Sequence, residues 1–233
     1  MMALWIKICG LKTEEAVDAA IDAGADAIGL VHFAPSPRHL DIPRLRDLAN
    51  HARGRAEIVV LTVDADNGTI LAIREYVHPD WLQLHGQEDG ERMAFVSGLI
   101  DKPLIKAVGI RDEADLANVQ MADAHADRIL LDAKPPKGAT RPGGNGETFD
   151  WGLLAALDVE RPVVLSGGLT PETVADAMVQ VRPVGIDVSS GVESSPGVKD
   201  PGRIRAFITA ARSAEIAVAQ ANGAAEPLLG AAS

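Results

Sequence analysis

Residues 4–33, LWIKICGLKTEEAVDAAIDAGADAIGLVHF, carry the pattern that decides the fold. Leu4 to Cys9 is a short apolar run, rich in the residues that favour strands. Thr13 can cap a following helix in which Ala16, Val17, Ala20 and Ile21 share one face, and Gly24 can end it. Ala27 to Phe33 is again apolar and strand-like. Strand, amphipathic helix and second strand make one crossover unit, whose two strands run parallel.

Outward from this unit the pattern repeats. Further apolar runs lie at Ile58 to Val63, Trp81 to His85, Leu104 to Val108, Arg128 to Asp132, Pro162 to Ser166 and Val184 to Val188. The runs recur every ~23 to 34 residues, the length of a strand plus its crossover helix. Leu45, Leu48, Ala49 and Ala52 form an apolar stripe behind Pro43, and Ile70, Leu71, Ile73 and Arg74 follow the third run with weaker patterning. Thr170-Pro171 and Asp200-Pro201 each place a capping residue before a proline suited to the first helical position. Eight repeats without a break in composition predict a single α/β domain of the (β/α)8 TIM-barrel class, with an open doubly wound sheet as the alternative. Residues 1–212 are expected to form the barrel. The alanine-rich stretch 213–233 is expected to extend the last helix and fray into a tail.

The composition fits this architecture. The chain has 233 residues, 47% hydrophobic but only 3% aromatic, so Ala, Val, Ile and Leu must fill the core. Its 22 basic and 33 acidic residues leave a net charge of −11, which argues against nucleic acid or anionic membranes as partners. An anionic small molecule would need local positive charge at its site. The single cysteine, Cys9, excludes an intrachain disulfide and a thiolate metal cluster. No signal peptide and no apolar run of the ~20 residues that a spanning helix needs are evident, so a cytoplasmic location is expected.

A barrel of this kind places its chemistry at the C-terminal ends of its strands. Cys9 ends the first run, with Lys7 two residues back on the same face. Cys9 is either a small buried hydrophobe or a reactive thiol. Lys7 is either a rim charge or an ammonium that lowers the cysteine pKa. Asp132, after three aliphatic residues, is either a turn residue or an acid whose pKa a partly apolar mouth could raise. Arg38, in the proline-stiffened Pro35-Ser36-Pro37-Arg38, is either a solvated loop residue or a fork for a carboxylate. Ser166-Gly167-Gly168-Leu169 and Ser189-Ser190-Gly191-Val192 follow the last two strands, where backbone N–H groups commonly bind phosphate. Ala133 to Thr148, rich in glycine and proline, is a functional loop or a disordered one. The histidine spacing matches no metal motif; His85 is expected to orient a loop or touch a ligand.

Taken in chain order, several segments resemble the phosphoribosylanthranilate isomerase family. They are Lys7-Ile8-Cys9-Gly10, Ser36-Pro37-Arg38, Leu82-Gln83-Leu84-His85-Gly86, Leu131-Asp132-Ala133, Gly143-Gly144-Asn145-Gly146 before Phe149-Asp150-Trp151, Leu165-Ser166-Gly167-Gly168-Leu169, Gly185-Ile186-Asp187-Val188-Ser189-Ser190-Gly191-Val192-Glu193 and Pro196-Gly197-Val198-Lys199-Asp200. The resemblance covers nearly the whole barrel and implies an Amadori rearrangement of a phosphorylated small molecule, with no metal and no organic cofactor. It implies Cys9 as general base and Asp132 as general acid, with Lys7, Arg38, His85 and Asp187 at the substrate. It also implies phosphate binding by Gly144, Gly146, Gly167, Gly168, Ser189, Ser190 and Gly191. Asn145 stands where the family usually has Thr or Ser. A monomer is expected. The histidine-pathway aminoaldose isomerase, indole-glycerol-phosphate synthase and a non-catalytic phosphate-binding barrel are the competing readings. The first resembles paired-aspartate chemistry and the second lysine–glutamate chemistry, neither of which uses Cys9.

Overall fold

The computed structural model describes residues 3–134 and 149–222. Eight strands form the barrel: β1 (Trp5–Cys9), β2 (Ala27–His32), β3 (Glu57–Thr62), β4 (Trp81–Leu84), β5 (Leu104–Ile110), β6 (Arg128–Ala133), β7 (Val163–Leu165) and β8 (Gly185–Val188). All pair in parallel with their sequence neighbours, and β8 returns to β1, aligning Lys7 with Asp187. That last ladder excludes the open sheet.

Around the barrel lie α1 (Glu14–Asp22), α2 (Ile42–Ala52), α3 (Asn67–Tyr76), α4 (Gly90–Ile100), α5 (Leu116–His125), α6 (Val174–Val181) and α7 (Pro201–Asn222). Thr13 caps α1 as expected, its side chain accepting from Ala16 N. Asp41, Asp66 and Asp89 do the same for α2, α3 and α4, so a capping aspartate recurs where strand hands over to helix. Leu45, Leu48, Ala49 and Ala52 are all buried. On α3 the stripe is narrower than expected, since Ile70 and Ile73 are buried while Leu71 is exposed.

One boundary differs from the sequence expectation. Thr170-Pro171 does not start a helix: the Thr170 hydroxyl accepts from Glu172 N and closes a turn, and α6 begins only at Val174. Helix α7 continues past Ser213 to Asn222, with Ala214 buried and the Glu215 carboxylate accepting Leu4 N–H at 2.6 Å on the backbone leading into β1. The loop expected at Ala133 to Thr148 lies largely outside the described residues, as does the tail beyond Asn222. Between β6 and β7 the described residues include a 3-10 helix, Trp151–Ala156.

Burial follows the period-2 alternation of strands. Ile6, Ile8, Ile28, Leu30, Ile58 and Val60 point outward and pack with the helices. Ala27, Val59, Ile105, Ala107, Leu130 and Val164 fill the barrel interior. At the bottom, the Arg128 guanidinium lies 4.6 Å from the Trp5 ring and 4.1 Å from the Trp81 ring. Glu57 accepts a hydrogen bond from each indole. Two of the few aromatics thus close the end of the barrel opposite the candidate site. Among the described residues no helix is long and apolar enough to cross a membrane.

Candidate active site

Inward-facing polar residues collect at the C-terminal ends of the strands. β1 contributes Lys7 and Cys9, β4 Gln83 and then His85, β6 Asp132, β7 Ser166 just beyond its end, and β8 Asp187. Of these, Lys7, Gln83, Asp132, Ser166 and Asp187 are buried.

Lys7 is fully buried, and its Nζ sits 2.6 Å from Asp187 Oδ1. Ser166 Oγ donates to the other Asp187 oxygen at 3.3 Å. Burial opposes charge on Lys7, but the Asp187 carboxylate and then Cys9 outweigh it and hold the ammonium above its ordinary range. Lys7 is thus a buried ion rather than a rim charge, on the same strand face as Cys9. Asp187 has both oxygens engaged by protein, Lys7 on one and Ser166 on the other.

Cys9 is 4% exposed. Burial is the largest influence on its thiol and pushes its pKa up. Asp187 adds to this, while Lys7, Lys199 and Arg38 pull the other way. The expected lowering by Lys7 is therefore real but outweighed by desolvation. Room for the thiol comes from the neighbouring strand, because a Cβ on Gly29 would lie 2.7 Å from Cys9 Sγ and 2.9 Å from its Cα.

Asp132 ends β6 with Oδ1 accepting the N–H of Ala133 at 2.9 Å. His85 Nε2 lies 3.3 Å from its Oδ2, and Gln83 Nε2 is 3.0 Å from His85 Nδ1. The His85 ring thus lies between Gln83 and Asp132.

Arg38 reaches the site from the loop after β2, packed closely over Gly10. That glycine has φ +80° and no room for a Cβ against the Arg38 side chain. Nε and Nη2 of Arg38 both bind Glu193, at 2.7 and 2.9 Å. Lys199 Nζ also binds Glu193, at 2.9 Å, and the carbonyl of Ser189 at 2.8 Å. A short hairpin, β9 (Glu193–Ser195) and β10 (Val198–Lys199), carries both residues. Despite burial, Arg38 and Lys199 hold the Glu193 carboxyl below its ordinary range. Burial pulls Lys199 below its own ordinary range against Glu193, since one carboxylate is shared by two cations. With Nε and Nη2 engaged by Glu193, Nη1 is the Arg38 nitrogen that makes no hydrogen bond among the described residues. Glu193 and Lys199 were not singled out as site residues, although both lie in segments that resemble the family.

The two serine–glycine segments lie side by side. Gly167 and Gly168 have φ of +84° and +67°, and a Cβ on Gly191 would strike the carbonyl oxygen of Leu169. Ser189 Oγ donates to the carbonyl of Cys9 at 3.1 Å, and Ser190 opens a 3-10 turn, Ser190–Val192. Gly144, Gly146 and Asn145 lie outside the described residues. Among the described residues no three of His, Cys, Asp and Glu converge as metal ligands do.

This arrangement sets a cysteine among cations against a carboxyl held by a histidine, across one barrel mouth. It can move a proton to one atom of a ligand and take one from another. The sequence pattern of the family described as "PRAI: N-(5'phosphoribosyl)anthranilate (PRA) isomerase" matches residues 6–210. N-(5'-phosphoribosyl)anthranilate isomerase of Rhodopseudomonas palustris (strain BisA53) is 55% identical over 214 residues, 92% of this chain and 98% of its own. The crystal structure of phosphoribosyl anthranilate isomerase from Thermotoga maritima aligns with a TM-score of 0.82 at 37% identity, covering 91% of this chain and 100% of that one. A solved complex of phosphoribosyl anthranilate isomerase with reduced 1-(o-carboxyphenylamino)-1-deoxyribulose 5-phosphate aligns with a TM-score of 0.79 at 33% identity, again covering 91% and 100%.

Proposed function

This chain belongs to the N-(5'-phosphoribosyl)anthranilate isomerase family, and on that premise we propose that Cys9 and Asp132 perform its reaction as general base and general acid. The reaction converts N-(5'-phosphoribosyl)anthranilate into 1-(2-carboxyphenylamino)-1-deoxyribulose 5-phosphate, a step of tryptophan biosynthesis. The observation that carries the assignment of roles is the placing, across one mouth, of a thiol ringed by cations and a carboxyl whose Oδ1 accepts Ala133 N–H and whose Oδ2 lies 3.3 Å from His85 Nε2.

The proton of the Asp132 carboxyl passes to the ribose ring oxygen as the C1–O bond breaks, and the nitrogen lone pair forms the Schiff base. The Cys9 thiolate then removes the proton from C2, and those electrons flow through C1 to the nitrogen to give the enolamine. Tautomerisation returns a proton to C1 and takes one from the C2 hydroxyl, giving the ketone. A carbon-bound proton calls for a strong base. Burial makes Cys9 strong once ionised, and Lys7, Lys199 and Arg38 act on the fraction that is ionised.

Substrate anions find the local cations that a chain of net charge −11 must provide. Arg38 Nη1 takes the anthranilate carboxylate, with the guanidinium plane fixed by Glu193. Backbone N–H groups around Gly167, Gly168, Ser189, Ser190 and Gly191 take the phosphate, joined by Gly144 and Gly146 from the loop after β6. The protein is proposed to act as a cytoplasmic monomer, which sedimentation velocity on the purified chain checks.

The assay follows the loss of substrate fluorescence, with phosphoribosylanthranilate made in place from anthranilate and phosphoribosyl pyrophosphate by the preceding enzyme. Wild type should consume it rapidly. Cys9→Ala and Asp132→Asn should each lose about 10²–10⁴-fold in kcat while remaining folded. Full activity in either variant removes that residue from its role.

A further inference from the structure

Gln83 does not reach the barrel mouth, yet it is the residue that determines what His85 presents to Asp132. It is fully buried on β4, with its Nε2 3.0 Å from His85 Nδ1. Its other amide atom, Oε1, is buried and has no hydrogen-bond partner among the described residues. A buried carboxamide can face the ring in two ways. As it stands, one Nε2–H donates to Nδ1 and the carbonyl oxygen meets no donor among the described residues. Turned over, Oε1 would face Nδ1, and neither N–H would keep the acceptor that Nδ1 provides. Orphaned buried N–H groups are rarer than under-satisfied carbonyl oxygens. Once Asp132 has given up its proton, the turned arrangement would also set the lone pair of His85 Nε2 against the new carboxylate, whose oxygen is 3.3 Å away. Both considerations select the same orientation.

From this geometry we infer that Gln83 is a positioning residue: it locks His85 as the neutral tautomer protonated on Nε2, so that the ring is a standing donor to the Asp132 carboxylate. This rests on Asp132 being the acid. When Asp132 releases its proton to the ring oxygen, negative charge develops on a carboxyl whose Oδ1 accepts Ala133 N–H and whose Oδ2 lies 3.3 Å from His85 Nε2. Donors in place before the charge appears need no reorganisation as it forms. His85 keeps its own proton throughout and is not a link in a relay. Gln83 acts one step further from the substrate, by making Nδ1 the acceptor.

Histidine labelled with 15N reports the tautomer in the resting, full-length protein, and a His85→Asn variant assigns the resonances. Wild type should show His85 protonated on Nε2, with Nδ1 unprotonated and hydrogen-bonded. Gln83→Met, which keeps an unbranched side chain and discards the unpaired oxygen, should fold normally. Its Nδ1 resonance should move downfield as the donated bond disappears. Its kcat should fall about tenfold, well short of the ~10²–10³ lost with a direct oxyanion donor, and its KM should change little. Gln83→Glu should place a proton on Nδ1 and lower kcat further. A wild-type proton on Nδ1 overturns the inference. So does a Gln83→Met variant that leaves kcat unchanged, or that loses kcat with the His85 resonances unmoved. The tautomer is read without turnover, so retained activity in Asp132→Asn would refute the acid assignment separately.

Discussion

Replacing Lys7 with Met, alone and together with Asp187→Asn, separates a structural charge from one that serves Cys9. The two side chains are 0% and 6% exposed and 2.6 Å apart. Removing one partner of such a pair strands the other as an uncompensated buried charge, at a cost of about 3–5 kcal/mol, and neutralising both recovers most of it. Catalysis should behave differently. Residues two apart on one face of a strand are separated by about 6.6 Å. At an effective dielectric of ~20 the attraction between an ammonium and a thiolate at that distance is about 2.5 kcal/mol, or roughly 70-fold in thiolate population. The single variant should lose about that much, since Asp187 still disfavours the thiolate. The double variant also removes the Asp187 charge and should lose less. Urea unfolding should show the double variant near wild-type stability, while kcat/KM at neutral pH stays well below that of wild type. A double variant that regains full kcat/KM at neutral pH would refute the reasoning and reduce Lys7 to a packing charge.

Three further outcomes follow from the geometry. Burial raises the Cys9 pKa, and the active form carries both a thiolate on Cys9 and a proton on Asp132, so kcat/KM of wild type should pass through a maximum with pH and fall on either side. A rate that keeps rising with pH would show that no protonated carboxyl is needed. Arg128→Ala removes the cation between Trp5 and Trp81 and should cost about 1–3 kcal/mol in thermal or urea unfolding, with kcat/KM unchanged because the floor is remote from the mouth. Glu193→Gln releases the Arg38 fork and should raise KM about tenfold with a smaller change in kcat, as loss of one positioned charge contact of ~1.4 kcal/mol would. An unchanged KM would show that Arg38 needs no support.

Much of the fold was legible because strands and amphipathic helices are written in local periodicity. Each apolar run overlapped a strand of the barrel within a residue or two. Thr13 and Asp200 also acted where expected, since a cap bonds to backbone two or three residues away. Helices α4 and α5 were harder to see. Buried positions such as Met93, Val96 and Ile100 on α4 are accompanied by the exposed Phe95, which blurs the stripe. Thr170-Pro171 misled because the same hydroxyl that caps a helix also closes a turn.

The candidate site divides along the same line. Cys9, Asp132 and the serine–glycine segments were visible from the sequence alone, because a polar residue at the end of an apolar run marks the rim of a parallel barrel wherever the rest of the chain goes. Their partners were not. Lys7 meets Asp187 across 180 positions of chain, and Arg38 meets Glu193 across 155. Only the closure of β8 onto β1 and the turn of the hairpin after it decide those meetings. Whether a lysine is a rim charge or a buried ion, and whether a thiol is lowered by its neighbour or raised by its surroundings, depends on how much water the assembled barrel excludes. Local sequence sets which groups are present and which way they face; burial and long-range pairing, which exist only in the closed barrel, set their charge.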